Sequence, residues 1–92
     1  MNQKASEIIV TGTVQGVGFR FFCNQQAQNL NLFGWVKNLP DGSVVSLVEG
    51  NQEPIQLYYT LLQKGSPNSI VAHAKLNWIT YTGNYQTFEI SY

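Results

Sequence analysis

Residues 12–20 carry the most chemistry in this chain. The run Gly12-Thr13-Val14-Gln15-Gly16-Val17-Gly18-Phe19-Arg20 lies between a β-branched stretch that reads as a strand and a segment with helical spacing. A loop in that place presents successive backbone N–H groups, and the helix after it adds a partial positive charge at its N-terminus. The glycines let the backbone wrap closely around an anion. Arg20 is the sole arginine of the sequence; its guanidinium stays charged at any working pH and can grip two phosphate oxygens at once. Loop amides plus one guanidinium make a phosphate cradle that needs no overall basicity. The same residues also suit a plainer reading, a glycine turn followed by a solvated helix residue, and loop composition alone does not separate the two.

Other chemistries are poorly served. The sequence has one Cys (Cys23), one His (His73) and one Asp (Asp41). One Cys and one His cannot assemble a Cys/His zinc site. No nucleophile-elbow motif supports a Ser–His–Asp triad. No Gly-Lys-Ser/Thr follows the glycine loop, so it is not a Walker A loop, and it matches a dinucleotide fingerprint only loosely. The formal net charge is zero, which predicts no general attraction to nucleic acid or to anionic membranes. The polar start Met1-Asn2-Gln3-Lys4 leads into no apolar run of the ~18 residues that span a bilayer. A lone Cys forms no internal disulfide, and no secretory signal is evident; the expected location is the reducing cytoplasm.

The elements that must position Arg20 follow from periodicity. With 92 residues, 43% hydrophobic and 11% charged, the chain reads as one domain over residues 1–92 with a small core. Ile8, Ile9 and Val10 mark a first strand over 7–13. Phe19, Cys23, Ala27 and Leu30 recur at roughly helical spacing and predict a helix over 21–30, with Asn31 as a left-handed stop. A second strand over 35–39 sets Gly34, Val36 and Asn38 on one face and Trp35, Lys37 and Leu39 on the other. Pro40-Asp41-Gly42 is a turn, and a third strand over 43–49 completes a hairpin. Pro54 opens a second helix whose Ile55, Tyr58, Tyr59 and Leu62 share one face, and Lys64-Gly65-Ser66-Pro67 closes it. Over 70–79, Ala72, Ala74, Leu76 and Trp78 alternate with Val71, His73, Lys75 and Asn77. After a turn at Gly83-Asn84, Phe88, Ile90 and Tyr92 form a last strand. The order predicts an α+β, ferredoxin-like split βαβ sandwich, βαββαβ plus a short final strand. Both helices then pack on one face of a mostly antiparallel sheet. This fold hosts many activities and by itself decides none.

Two runs make a resemblance specific. GTVQGVGFR, residues 12–20, resembles the N-terminal signature of the acylphosphatase family. Gly34-Trp35-Val36-Lys37-Asn38-Leu39-Pro40-Asp41-Gly42-Ser43-Val44, continuing to Gly50, resembles its second signature. Order and spacing agree, and the likeness covers nearly the whole chain. It implies that Arg20 is the catalytic arginine and Asn38 the residue that orients the nucleophilic water. It implies that the backbone of Gln15, Gly16, Val17, Gly18 and Phe19, with Arg20, holds the phosphate. It implies an acyl phosphate substrate, inorganic phosphate as product, and no metal, nucleotide or other cofactor. Asn31 stands where the family often has Gly, which touches the helix stop and not the chemistry. An acyl phosphate departs as a carboxylate, which needs no proton at neutral pH, so no general acid is demanded. The water's proton is expected to pass to a phosphate oxygen of the substrate.

Without the resemblance, Asn38 reads as a strand-end residue capping the Pro40-Asp41-Gly42 turn. His73, Lys37, Lys64 and Lys75 read as solvated surface groups, Cys23 as a packed thiol, and Trp35 and Trp78 as packing residues. Tyr58 and Tyr59 fit core burial with a wet hydroxyl edge. An RNA-binding module of the same fold would want a basic surface and an RNP1 run, and neither is present. A non-catalytic phosphate- or carbamoyl-phosphate-binding module, like those opening the longer hydrogenase-maturation proteins, is the other alternative. The chain ends after one domain, which favours the free-standing enzyme. A monomer is expected.

Overall fold

The computed structural model describes residues 3–92; the Met1-Asn2 part of the polar start lies outside them. In chain order the elements are β1 (Gln3–Thr13), α1 (Phe19–Asn29), β2 (Phe33–Asn38), β3 (Val44–Asn51), α2 (Gln52–Lys64), β4 (Ile70–Ile79) and β5 (Phe88–Ile90). One five-stranded sheet runs β4-β1-β3-β2-β5. Its pairs are antiparallel except β2–β5, which is parallel. Two helices pack on this mixed sheet, and the ferredoxin-like expectation holds.

Alternation along the strands builds the core. Ile8 and Val10 of β1, Val36 of β2 and Val44 and Val48 of β3 meet Phe19, Cys23 and Ala27 of α1 and Ile55, Tyr58 and Leu62 of α2, all buried. The helix ends match their chemistry. Asn31 takes φ 57° after α1, and Leu32 N–H donates back to Ala27 O at 2.9 Å.

Four differences from the sequence reading have physical reasons. First, β1 begins at Gln3 rather than near Glu7, because Gln3–Ser6 pair with residues 48–51 of β3. Long-range pairing thus overrides the weak β-propensity of Lys4-Ala5-Ser6. Second, Thr11 pairs with His73 but Gly12 with Val71, so Ala72 is a bulge. The bulge reverses the phase of β4: Val71, not Ala72, joins Ala74 and Leu76 against the core. Gly12 permits it, since an added Cβ there would stand 2.1 Å from Ile70 O. Third, Trp78 is 46% exposed rather than packed, because β4 is an edge strand whose last residues lie open. Fourth, the Tyr58 hydroxyl is not wet. Tyr58 is fully buried and shares a 2.8 Å hydrogen bond with Ser46 Oγ, and Tyr59 Oη donates to Ala74 O at 2.8 Å.

The connection from β4 to β5 crosses between opposite edges of the sheet. It is fastened at the buried Glu49 of β3. Thr82 N–H and Oγ1 each donate to Oε2 at 2.9 Å, and Gly83 N–H donates to Oε1 at 3.0 Å. Further on, Gly34 N–H donates to Thr87 O at 2.9 Å and delivers the chain to β5. The last strand was expected to include Tyr92; it stops at Ile90.

Candidate active site

The loop 14–18 joins the end of β1 to the start of α1. Buried Val14 anchors it. Gln15 Nε2 donates to Leu39 O and to Ser43 O, both at 2.8 Å, and so clamps the loop onto the β2–β3 hairpin. The hairpin turn closes on itself. Asp41 Oδ1 accepts from Ser43 N–H at 2.9 Å and from Ser43 Oγ at 2.6 Å, bonds that lower the Asp41 carboxyl below its ordinary value.

Gly16 and Gly18 have φ 75° and 79°, a region that favours glycine. Among the described residues, chain neighbours aside, nothing lies within 4 Å of a Cβ built at either position. The glycines therefore serve the backbone path, and the space above them is open to a ligand. Gly18 is also the N-cap of α1 and offers no capping side chain, which leaves the first-turn N–H groups to an incoming anion.

Arg20 sits in that first turn, half-buried. Its Nη1 donates to Ser91 O at 3.1 Å, and its Cζ lies 4.7 Å from the centre of the Tyr92 ring. Ser91 is itself held, its N–H donating to Val36 O at 2.8 Å. The guanidinium is thus oriented while its other N–H groups stay free to bind. Asn38 ends β2. Its Oδ1 is buried and has no hydrogen-bond partner. It does not cap the turn, which Asp41, Ser43 and Gln15 already close. An unpartnered buried amide oxygen is costly unless something else uses it.

The structure brings these groups together. Gly16, Gly18, Phe19, Arg20 and Asn38 line one cavity of about 250 Å³. Gln15 and Val17 do not line it. The Gln15 side chain is spent on the hairpin, and Val17 packs against the core. Phe21, Ile90 and Tyr92 line it as well, and sequence reasoning missed them. Phe21 left a faint signal, an apolar residue off the buried stripe of its helix; Ile90 and Tyr92 arrive from the far end of the chain and left none. Lys37 points to the other side of the sheet, 5.0 Å from the Trp35 ring centre. Cys23 is buried, and burial pushes its thiol up to about 12, so it is no nucleophile at neutral pH. His73 is exposed. Among the described residues no group of three or more His, Cys, Asp or Glu is placed to hold a metal ion. Among the described residues no helix is long and apolar enough to cross a membrane.

A glycine loop opening a helix, one oriented guanidinium and an unpartnered amide on the next strand give this ferredoxin-like domain a cavity whose chemistry suits a phosphoryl group. Comparison with known proteins narrows the class. The acylphosphatase family model matches residues 6–90. An acylphosphatase of Bacillus licheniformis is 44% identical over 85 residues, covering 92% of this chain and 94% of that one. The crystal structure of acylphosphatase from Bacillus subtilis superposes with a TM-score of 0.93 at 38% identity, covering 97% of this chain and 99% of that one. A crystal structure of full-length HypF in a phosphate- and nucleotide-bound form matches with a TM-score of 0.86 at 28% identity, over 98% of this chain but only 12% of that one. The chain belongs to the acylphosphatase family, whose members are hydrolases that need no metal.

Proposed function

We propose that this chain hydrolyses the carboxyl–phosphate bond of acyl phosphates to a carboxylate and inorganic phosphate, with Arg20 and Asn38 dividing the work. The loop amides of Gly16, Gly18 and Phe19, which line the cavity, and the guanidinium of Arg20 bind the phosphoryl oxygens and neutralise the charge that develops on them. Asn38 Oδ1 accepts a hydrogen bond from a water and holds it in line behind phosphorus. The single observation that carries this is the shared cavity, with an oriented cation on one element and an unpartnered buried acceptor on the other. Phosphoryl transfer of this kind is mostly positioning and electrostatic stabilisation. As the water attacks, its oxygen bonds to phosphorus and the P–O bond to the acyl group breaks. The electron pair leaves on the carboxylate, and the water's proton passes to a phosphate oxygen.

The reading extends to the whole chain as one catalytic domain over residues 1–92, working as a cytoplasmic monomer without nucleic-acid partners. The zero net charge and the lone buried thiol support this. The likeness to HypF favours a second reading, a phosphate-binding module without turnover. Curated acylphosphatases of matching length favour the enzyme.

Hydrolysis of benzoyl phosphate in ¹⁸O-labelled water, with EDTA present, tests the chemistry. Label is expected in phosphate. Label in benzoate would place the attack on the acyl carbon and contradict the roles of Arg20 and Asn38.

A further inference from the structure

The cavity that joins Arg20 and Asn38 has a rim that phosphoryl binding does not use. Phe21 and Tyr92 form part of its lining, and they are 59% and 96% exposed. The buried residues of α1 are Phe19, Cys23 and Ala27; Phe21 lies off that stripe, so the core does not account for it. Its ring surface stays in water unless something covers it. Arg20 is the one charged side chain that lines the cavity, and the nearby cation of β2, Lys37, faces the other side of the sheet.

In-line displacement puts the leaving oxygen on the side of phosphorus opposite the attacking water. With the water held at Asn38 and the phosphoryl oxygens at the loop and Arg20, the acyl group faces away from Asn38 and β2, towards the side that Phe21 of α1 lines. We propose that Phe21 forms an apolar acyl subsite and is a specificity-determining residue. The subsite favours acyl phosphates with a neutral, flat acyl group and disfavours those carrying a second anionic group. An aromatic acyl group gains ring contacts there, whereas a second carboxylate loses water and finds no cation in return. This inference rests on the acyl phosphate reading above.

Tyr92 also supports Arg20, so Phe21 is the cleaner position to change. The experiment measures kcat and KM of the full chain with benzoyl, acetyl and succinyl phosphate, for the parent and for Phe21→Ala, Phe21→Tyr and Phe21→Lys. The benzoyl-to-acetyl ratio of kcat/KM is expected to fall about fivefold in Phe21→Ala, carried by KM, and to recover in Phe21→Tyr. Phe21→Lys is expected to raise succinyl relative to benzoyl phosphate. A parent active on these substrates whose ratios are unaltered in all three variants overturns the subsite alone. A parent that hydrolyses none of them overturns the acyl phosphate reading and the subsite with it.

Discussion

With the roles proposed for them, Arg20 and Asn38 illustrate how few groups a reaction needs when its leaving group is already stable. Among the described residues no His, Cys, Asp or Glu lines the cavity, so none of these side chains is poised to take the water's proton. The rate should therefore report no essential enzyme base titrating near neutrality. A pH profile of kcat for benzoyl phosphate checks this. An essential base in that range, present in the parent, would mean that the proton does not go to the substrate. At this scale the motif residues were legible in the sequence, because a glycine loop ending in arginine has a mechanism attached to it. Asn38 was legible only through the resemblance; on its own it read as a turn cap. What separates the two is a buried oxygen without a partner, a property of its surroundings that no local pattern encodes.

The elements aim these side chains. The β1–α1 loop is tied to the β2–β3 hairpin by Gln15, and Arg20 is braced by the residues after β5. Three separate stretches of chain thus converge on one cavity. The bulge at Ala72 sets how β4 runs beside the end of β1, just before the loop, and Gly12 makes the bulge possible by close backbone approach. Gly12→Ala is expected to destabilise the fold by about 3 kcal/mol, since the new methyl group must displace the backbone of Ile70. Urea unfolding checks this, and an unchanged midpoint would show that β4 shifts at little cost. Helix positions and strand alternation were readable because both faces are set by burial. The bulge was not, since one extra residue in a strand leaves no trace in an otherwise alternating run. The early start of β1 was hidden for the complementary reason: its residues become a strand only because β3 pairs with them, joined by β4 from Ala5 onward.

For the whole molecule, the core fills from one face of the sheet with both helices, and its stability at alkaline pH depends on groups within it. Burial pushes the Cys23 thiol from an ordinary 9.0 up to about 12, and burial also raises Tyr58 well above its ordinary 10.0. The unfolded chain gives up these protons first. The contribution of these two groups is therefore fully present below pH 9.0 and is lost as pH rises towards about 12, at up to ~1.4 kcal/mol per unit for each group. Cys23→Ala should delay the onset of this loss to near 10.0, where Tyr58 takes over. Urea midpoints measured across that range check it, and an identical onset in parent and variant would show that the thiol does not contribute. The ferredoxin-like architecture was legible at this scale from element order and the two amphipathic helices. The buried Glu49 that fastens the β4–β5 connection was not, because its three donors lie more than thirty residues away. Two side chains acting on one phosphoryl group carry the proposed reaction. The direct test is the kinetics of the parent, Arg20→Gln and Asn38→Ala with benzoyl phosphate, alongside inhibition by inorganic phosphate. Each variant should lose at least ~100-fold in kcat/KM. Arg20→Gln should also lose phosphate inhibition, whereas Asn38→Ala should keep it. Folded variants that retain near-parental turnover would contradict the assignment.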